Sequence, residues 1–146
     1  MLDATCQARL VHCRELEYIL LGDLRDLLEE EPNCETVRWL VAVLDTLLET
    51  LPEDFELRSS EGYLKPVLDA FPNWEPLVDR LEDQHFELFR RLSSLRSKLT
   101  LGEDFTPIAD ILRGDLAGWI VAFKVHREHE QRLVLLATHL DEGWGG

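Results

Sequence analysis

Residue types that would mark a secreted, membrane or nucleic-acid-binding protein are scarce in this chain. Its 146 residues include three cysteines without a Cys-x-x-Cys spacing, which indicates neither a disulfide framework nor a zinc knuckle. The 15 bases stand against 29 acids, and a net charge of −14 argues against nucleic acids and anionic membrane surfaces as partners. No apolar run is long enough to span a bilayer, and the first residues lack the pattern of a signal peptide. We therefore expect a cytoplasmic location.

Catalytic motifs are missing as well. The chain contains no glycine-rich phosphate loop, no Gly-x-Ser-x-Gly elbow, and no His, Cys and Asn set that suggests a nucleophile. Hydrolase and kinase activities therefore have no motif to support them, and the sequence favours a protein that is not an enzyme.

What the chain does contain is leucine-rich helical periodicity. Sparse β-branched residues, with glycine and proline at the breaks between amphipathic stretches, are typical of an all-α protein. The first predicted helix runs over 3–30. The second runs from Glu35 to 70, with a kink or a fresh start at Pro52, and the third runs from an N-cap at Asn73 to 99. A short helix begins at Thr106 and Pro107, and the last long helix runs over 115–140. A glycine-rich tail follows at 141–146. One domain with four long helices and short breaks predicts an antiparallel up-down-up-down four-helix bundle.

A histidine and a glutamate four residues apart fall on the apolar stripe of the last predicted helix. The stripe through Leu116 and Phe123 includes His126 and Glu130, whereas His129 points away from it. Burying both polar side chains is costly unless something satisfies them, and a metal ion in a helical bundle is one such partner. The other interpretation is a histidine at the edge of the core that is hydrogen-bonded to its helix neighbour.

Two further predicted helices each bring a histidine towards the core. His85 lies in the middle of the apolar face formed by Leu81 and Leu88, and His12 lies at the edge of the stripe on the first helix. Neutral imidazoles combined with carboxylates suit iron, zinc or manganese. The coincidence on three helices indicates a metal site more strongly than any single residue does.

The order of these motifs resembles the hemerythrin-like family, the HHE cation-binding four-helix bundles. The resemblance covers nearly the whole chain and is carried by the segment around His85, by 119–134 with its His126-x-x-x-Glu130 motif, and by the Asp-x-Gly ending at 141–143. It implies two non-haem irons with bridging carboxylates. Oxygen binding, sensing, storage or redox chemistry would follow from that family's site.

The second predicted helix departs from the family's His-x-x-x-Glu motif in either of two registers. Aligned on the Gly-Tyr-Leu that follows, the ligand histidine becomes Asp54 and the ligand glutamate becomes Arg58. Periodicity agrees with this register, because it turns both residues inward and leaves Leu57 off the face. In the competing register Glu61 is the surviving ligand and Leu57 replaces the histidine.

Arg58 is the residue on which the function depends. A guanidinium stays ionised at cellular pH and has no lone pair to donate to a metal, so at a two-iron site it would add repulsion. It can instead replace the metal by pairing with Glu130 and Asp54 across the core. The alternative is a solvated arginine that snorkels from a kinked helix.

Two functions follow from these observations. The first is a hemerythrin-like protein with an altered or partly lost di-iron site, which binds iron and takes dioxygen or another small ligand at an open position. Its predicted metal ligands are His12, Asp54 or Glu61, His85, His126 and Glu130. The second is a metal-free bundle of the same fold that acts in protein–protein interaction or as a scaffold.

Overall fold

The protein is all-helical in the residues that a computed structural model describes, which are 4–31, 33–60, 64–99 and 105–145. Strands are absent from these ranges, which confirms the all-α prediction. The elements in chain order are α1 (Ala4–Glu29), α2 (Cys34–Ser60), α3 (Lys65–Ala70), a 3₁₀ turn at Pro72–Trp74, α4 (Glu75–Leu99) and α5 (Phe105–Gly145). None of these helices combines the length and the apolar composition that a bilayer crossing requires.

The start of α2 is set by an asparagine cap. The Asn33 side-chain oxygen accepts a hydrogen bond of 2.9 Å from the backbone N–H of Thr36, and the Asn33 carbonyl accepts one of 3.0 Å from Val37. Such a cap satisfies amide groups that have no partner inside the helix. The helix accordingly begins at Cys34, one residue before the predicted start.

The second helix continues through Pro52 instead of starting afresh there. It runs to Ser60 although a proline removes one backbone hydrogen bond from a helix interior. Pro52 itself is exposed, while Leu51 and Leu57 on either side are buried. Burial of these neighbours offsets the cost of the proline, which local sequence rules do not weigh.

The last helix is longer than the sequence predicted. A separate short helix at Thr106 and Pro107, followed by a new start at 115, was wrong, because one helix spans Phe105–Gly145. Pro107 lies in the first turn, where its missing N–H is not needed. The predicted tail is helical as far as Gly145, and glycine lowers helix propensity without breaking a helix.

The beginning of α4 also differs from its prediction. Asn73 lies within the 3₁₀ turn, and α4 begins at Glu75 after the turn has closed through a hydrogen bond of 3.0 Å from the Trp74 N–H to the Phe71 carbonyl. The turn thus occupies the position that was predicted for the N-cap.

The long helices contact one another in a closed order. α1 packs along α2, α2 along α4, α4 along α5, and α5 returns to α1, while α3 packs on α5. An ion pair of 3.0 Å joins Arg9, near the start of α1, to Glu53, near the end of α2, so these two helices run antiparallel. The Trp119 indole donates a hydrogen bond of 2.8 Å to the Leu88 carbonyl and thereby links α5 to α4.

The apolar core is divided into clusters that leave a layer between them. The largest cluster takes residues 20–28 of α1, 40–51 of α2, 88–99 of α4 and 112–123 of α5. The second consists of Leu64, Val67, Val78, Leu81, Leu133 and Ala137. On α4 and α5 the positions between the two clusters belong to neither, and these positions carry the polar residues that the sequence marked as inward.

We predict that Pro52→Ala raises the free energy of unfolding by about 1–3 kcal/mol, because alanine restores a backbone hydrogen bond to an otherwise continuous helix. Urea denaturation measures the change. Pro66→Ala is the control, since Pro66 lies at the start of α3, where proline is accommodated, and its replacement should change stability little. A loss of stability in Pro52→Ala would mean instead that the proline sets the path of the helix segment bearing Asp54 and Arg58.

Candidate functional site

Ionisable side chains from four helices meet in the layer between the two apolar clusters. All are buried except Arg127, whose side chain is 14% exposed. We call this set the buried charge network. Its members are Glu17 on α1, Asp54 and Arg58 on α2, His85 on α4, and His126, Arg127 and Glu130 on α5.

Arg58 connects α2 to α5 inside the network. Its Nε donates a hydrogen bond of 2.6 Å to Asp54 Oδ1, and its Nη1 contacts Glu130 Oε1. Only 6% of the Arg58 side chain is exposed. The predicted pairing of Arg58 with Asp54 and Glu130 is therefore confirmed, and the alternative of a solvated, snorkelling arginine is wrong.

Arg127 provides a second guanidinium and connects three helices. Its Nη2 donates a hydrogen bond of 2.7 Å to Glu17 Oε2 on α1 and also contacts Asp54 Oδ2 on α2. The guanidinium carbon lies 4.8 Å from the centre of the Phe123 ring, a cation–π contact within α5. Two arginines thus share the Asp54 carboxylate between them.

Sequence reasoning missed both Glu17 and Arg127. Glu17 stands three residues before Leu20 and seven before Leu24, so the test that selected the histidines would have placed it on the apolar stripe. Arg127 had the same signal, because it stands four residues after Phe123 and seven after Ile120 on the apolar stripe of α5. Only the position of α1 beside α5 brings its guanidinium to the carboxylates.

The pKa values of the two acidic residues are shifted in opposite directions. Burial raises the pKa of Glu17 to about 8, opposed by the charge of Arg127 and supported by the adjacent Asp54. Burial also acts to raise the pKa of Asp54, but the hydrogen bond with Glu17 and the charges of Arg127 and Arg58 outweigh it and hold that pKa below its usual range. Near neutral pH, Glu17 therefore keeps its proton. Asp54 then contacts the guanidiniums of both Arg58 and Arg127, and Glu130 contacts that of Arg58.

Both histidines of the network are neutral. Burial is the largest cause that lowers the pKa of His85 to about 4 and that of His126 to about 3, and the charge of Arg127 lowers both further. The two ring centres are 6.0 Å apart. His126 Nδ1 lies 3.3 Å from Gln84 Oε1, and since a carbonyl oxygen only accepts, the proton is assigned to Nδ1.

The other predicted ligands do not join this group in the described part of the chain. His12 is exposed on α1, so the expected convergence of three histidines is met only by His85 and His126. Glu61 lies outside the described residues. Leu57, predicted to be off the face, is buried against Leu10 and Cys13, because α1 covers that side of α2.

The donor set does not fit the two-iron centre that the resemblance implies. In the described ranges no group of three or more His, Cys, Asp or Glu side chains is arranged to hold a metal ion. Oxygens of Asp54 and Glu130 already accept from guanidinium groups, which carry positive charge into the position that a cation would occupy. The arrangement is suited to joining helices by charge-assisted hydrogen bonds.

Comparison of the chain with protein-family models, with curated proteins and with solved structures found no match.

We predict that Arg58→Ala lowers the free energy of unfolding by about 3–5 kcal/mol, because it leaves Asp54 and Glu130 buried with too little positive charge. Arg9→Ala is the matched control: it also breaks an arginine–glutamate pair, but one whose side chains are 55% and 48% exposed, and such pairs contribute about 0–1 kcal/mol. Chemical denaturation measures both. Equal losses in the two variants would contradict a buried network that depends on Arg58.

The raised pKa of Glu17 predicts that stability falls as the pH rises towards 8. The carboxyl titrates near 4.5 in the unfolded chain and near 8 in the folded one, so between these values the folded state holds the extra proton. Its contribution to stability is complete below pH 4.5 and is lost as the pH rises through 8. From pH 6.5 to pH 8 we expect this carboxyl alone to lose about 1–2 kcal/mol. The two buried histidines titrate near 6.5 when unfolded and are neutral when folded, so they return part of that loss and the net change is about 1 kcal/mol.

Glu17→Gln should flatten this dependence, because glutamine keeps the shape of the protonated acid and does not ionise. The free energy of unfolding, measured by urea denaturation at several pH values, checks the slope. Glu53→Gln, at an exposed glutamate, is the control and should keep the wild-type slope. Parallel slopes in the wild type and Glu17→Gln would show that Glu17 is ionised in the folded protein.

Proposed function

We propose that this chain is a metal-free member of the hemerythrin-like four-helix bundles that serves as a protein–protein interaction module. In this proposal the buried charge network stands where the family holds its irons. The observation that carries it is the position of Arg58, inserted between the Asp54 and Glu130 carboxylates of two different helices.

The proposed topology is an antiparallel up-down-up-down arrangement of α1, α2, α4 and α5. The order of contacts around the four helices supports it, since each helix packs on the next in the chain and α5 packs back on α1. The Arg96 and Asp45 pair, at 2.6 Å, links the end of α4 to the first half of α2, as antiparallel neighbours require. In this topology α3 and the 3₁₀ turn form the connection between the second and third long helices.

The replacement of metal by arginine follows from charge. A bridging metal centre holds helices together because cations neutralise inward carboxylates. Arg58 and Arg127 supply the same neutralisation with fixed cations that are part of the chain. The network then keeps α1, α2 and α5 joined without depending on metal supply.

An interaction role is supported by the outer surface of α5. Exposed apolar side chains scattered singly are normal on a protein surface. In the described residues, however, five large ones lie on this single helix, namely Ile111, Val121, Val125, Leu135 and Leu136. A helix with apolar residues on both its inner and its outer face is suited to packing on two partners at once.

A single metal ion at His85, His126 and Glu130 is the second candidate, and it requires these side chains to shift, since as described they are not grouped closely enough to hold an ion. One observation favours it: the Nε2 atoms of both imidazoles are buried and have no hydrogen-bond partner among the described residues. Neutral imidazoles whose Nδ1 is engaged elsewhere carry their lone pair on Nε2, which is the form that binds metals. Glu130 Oε2 lies 3.8 Å from His126 Nε2.

Metal content and metal-dependent stability separate the two candidates. For protein purified without chelators we expect fewer than about one metal ion per ten chains, and the same melting temperature in chelator as in excess iron or zinc, because a ligand that binds only the folded state would raise it. A stoichiometric metal, or a melting temperature that rises with added metal, would contradict the metal-free proposal and favour the second candidate. In the register aligned on Gly-Tyr-Leu, the double variant Asp54→His with Arg58→Glu restores the family motif on α2 and should take up iron. If it folds and takes up none, that register is wrong and Glu61 is the residue to test.

A further inference from the structure

The outer face of α5 presents apolar side chains around two glycines. Ile111, Val121 and Val125 are 72%, 62% and 42% exposed, and Gly114 and Gly118 lie between them on the same side, since residues three, four and seven apart share a helix face. A Cβ built at either glycine meets nothing within 4 Å. Packing within the described chain therefore requires neither glycine, although glycine is the least favourable helix residue after proline.

Large and small residues on this face complement each other under a two-fold rotation. We propose that α5 pairs with α5 of a second copy of this chain in an antiparallel homodimer. Val121 of each copy then fits the notch at Gly114 and Gly118 of the other. The same rotation sets Val125 opposite Ile111, with the axis passing between Ala117 and Gly118. A two-fold interface needs a surface that is complementary to itself in this way.

One pair of opposite charges at the border of the face agrees with the same axis. Asp110 and Lys124 are both exposed and lie fourteen residues apart, which puts them on the same side of the helix. Neither has an ion-pair partner in the described part of the chain. The rotation that brings Val121 to Gly114 also brings Lys124 of each copy to Asp110 of the other, so the dimer gains two equivalent ion pairs. A parallel pairing would set like charges side by side.

The expected dimer is weak. About four turns of one helix from each copy form the contact, which corresponds to the small end of specific interfaces and to a Kd on the order of tens of micromolar. The inference rests on the proposed function only for the role of the molecule as an interaction module. Self-association is measured in chelator, so it fails or succeeds independently of the metal content.

Sedimentation equilibrium of the full chain over a range of concentrations tests the pairing. We expect Asp110→Lys and Lys124→Asp each to raise the dimer Kd at least tenfold, and the double variant to return it to within about threefold of the wild type, because the ion pairs are re-formed with exchanged signs. Asp23→Lys on α1 is the matched control: it changes the net charge as much as Asp110→Lys does but lies on another helix, and it should leave the Kd unchanged.

Two further variants test the notch and the direction of pairing. Gly118→Leu should abolish the dimer without lowering the melting temperature of the monomer, since its Cβ has open space around it. In a background with Cys6 and Cys34 changed to serine, Ala117→Cys should form a disulfide-linked dimer by itself. Val125→Cys should cross-link only when mixed with Ile111→Cys.

The result that overturns the inference is a wild-type chain that stays monomeric up to about 1 mM, well above the expected Kd. A dimer that persists in Gly118→Leu, or one that Asp23→Lys weakens as much as Asp110→Lys, would overturn it equally. A dimer in which Val125→Cys cross-links with itself would exclude the antiparallel axis.

Discussion

The pairing of two guanidiniums with buried carboxylates is the interaction on which the arrangement of the long helices depends. Moving a charge out of water is expensive, and a core tolerates it only where an opposite charge and hydrogen bonds are supplied. Asp54 lies at the centre of this balance, because it accepts from Arg58 of its own helix and contacts Arg127 of α5. A change in how α2 sits against α5 would leave at least one of these charges buried without a partner.

The two apolar clusters on either side of the network act in a different way. Leucine contacts are strong but have little direction, so two leucine-rich helices can slide by a turn and still bury a similar area. The charge network has no such freedom, because each guanidinium meets its carboxylates at only one height along the bundle axis. We therefore regard the leucines as the main source of stability and the network as the source of register. Burial of Glu17 in its protonated form fits this division, since a further ionised carboxylate at this buried position would be costly.

α5 takes part in the buried charge network, in the large apolar cluster and in the proposed pairing of two copies. Its inner face provides Arg127 and Glu130 to the network and Trp119 to the large apolar cluster. Its outer face carries the two glycines and the exposed aliphatic residues. The inner residues join helices of one chain, and we propose that the outer ones join two chains. One continuous helix is needed for this, because a break between residues 107 and 115 would separate the outer face from the part that is anchored in the core.

The sequence alone determined the helical class, most helix bounds, and the inward positions of His85, His126 and Glu130, because each of these follows from a period of 3.6 residues along one segment. It also pointed to Asp54 and Arg58, since the stripe of the second helix could be followed past Pro52. The tertiary structure alone decided that α2 continues through that proline, that His12 faces solvent, and that Arg127 turns towards Glu17 and Asp54. The physical reason is that burial of a residue at the edge of a stripe depends on which neighbouring helix covers that edge, and periodicity within one helix carries no information about its neighbours.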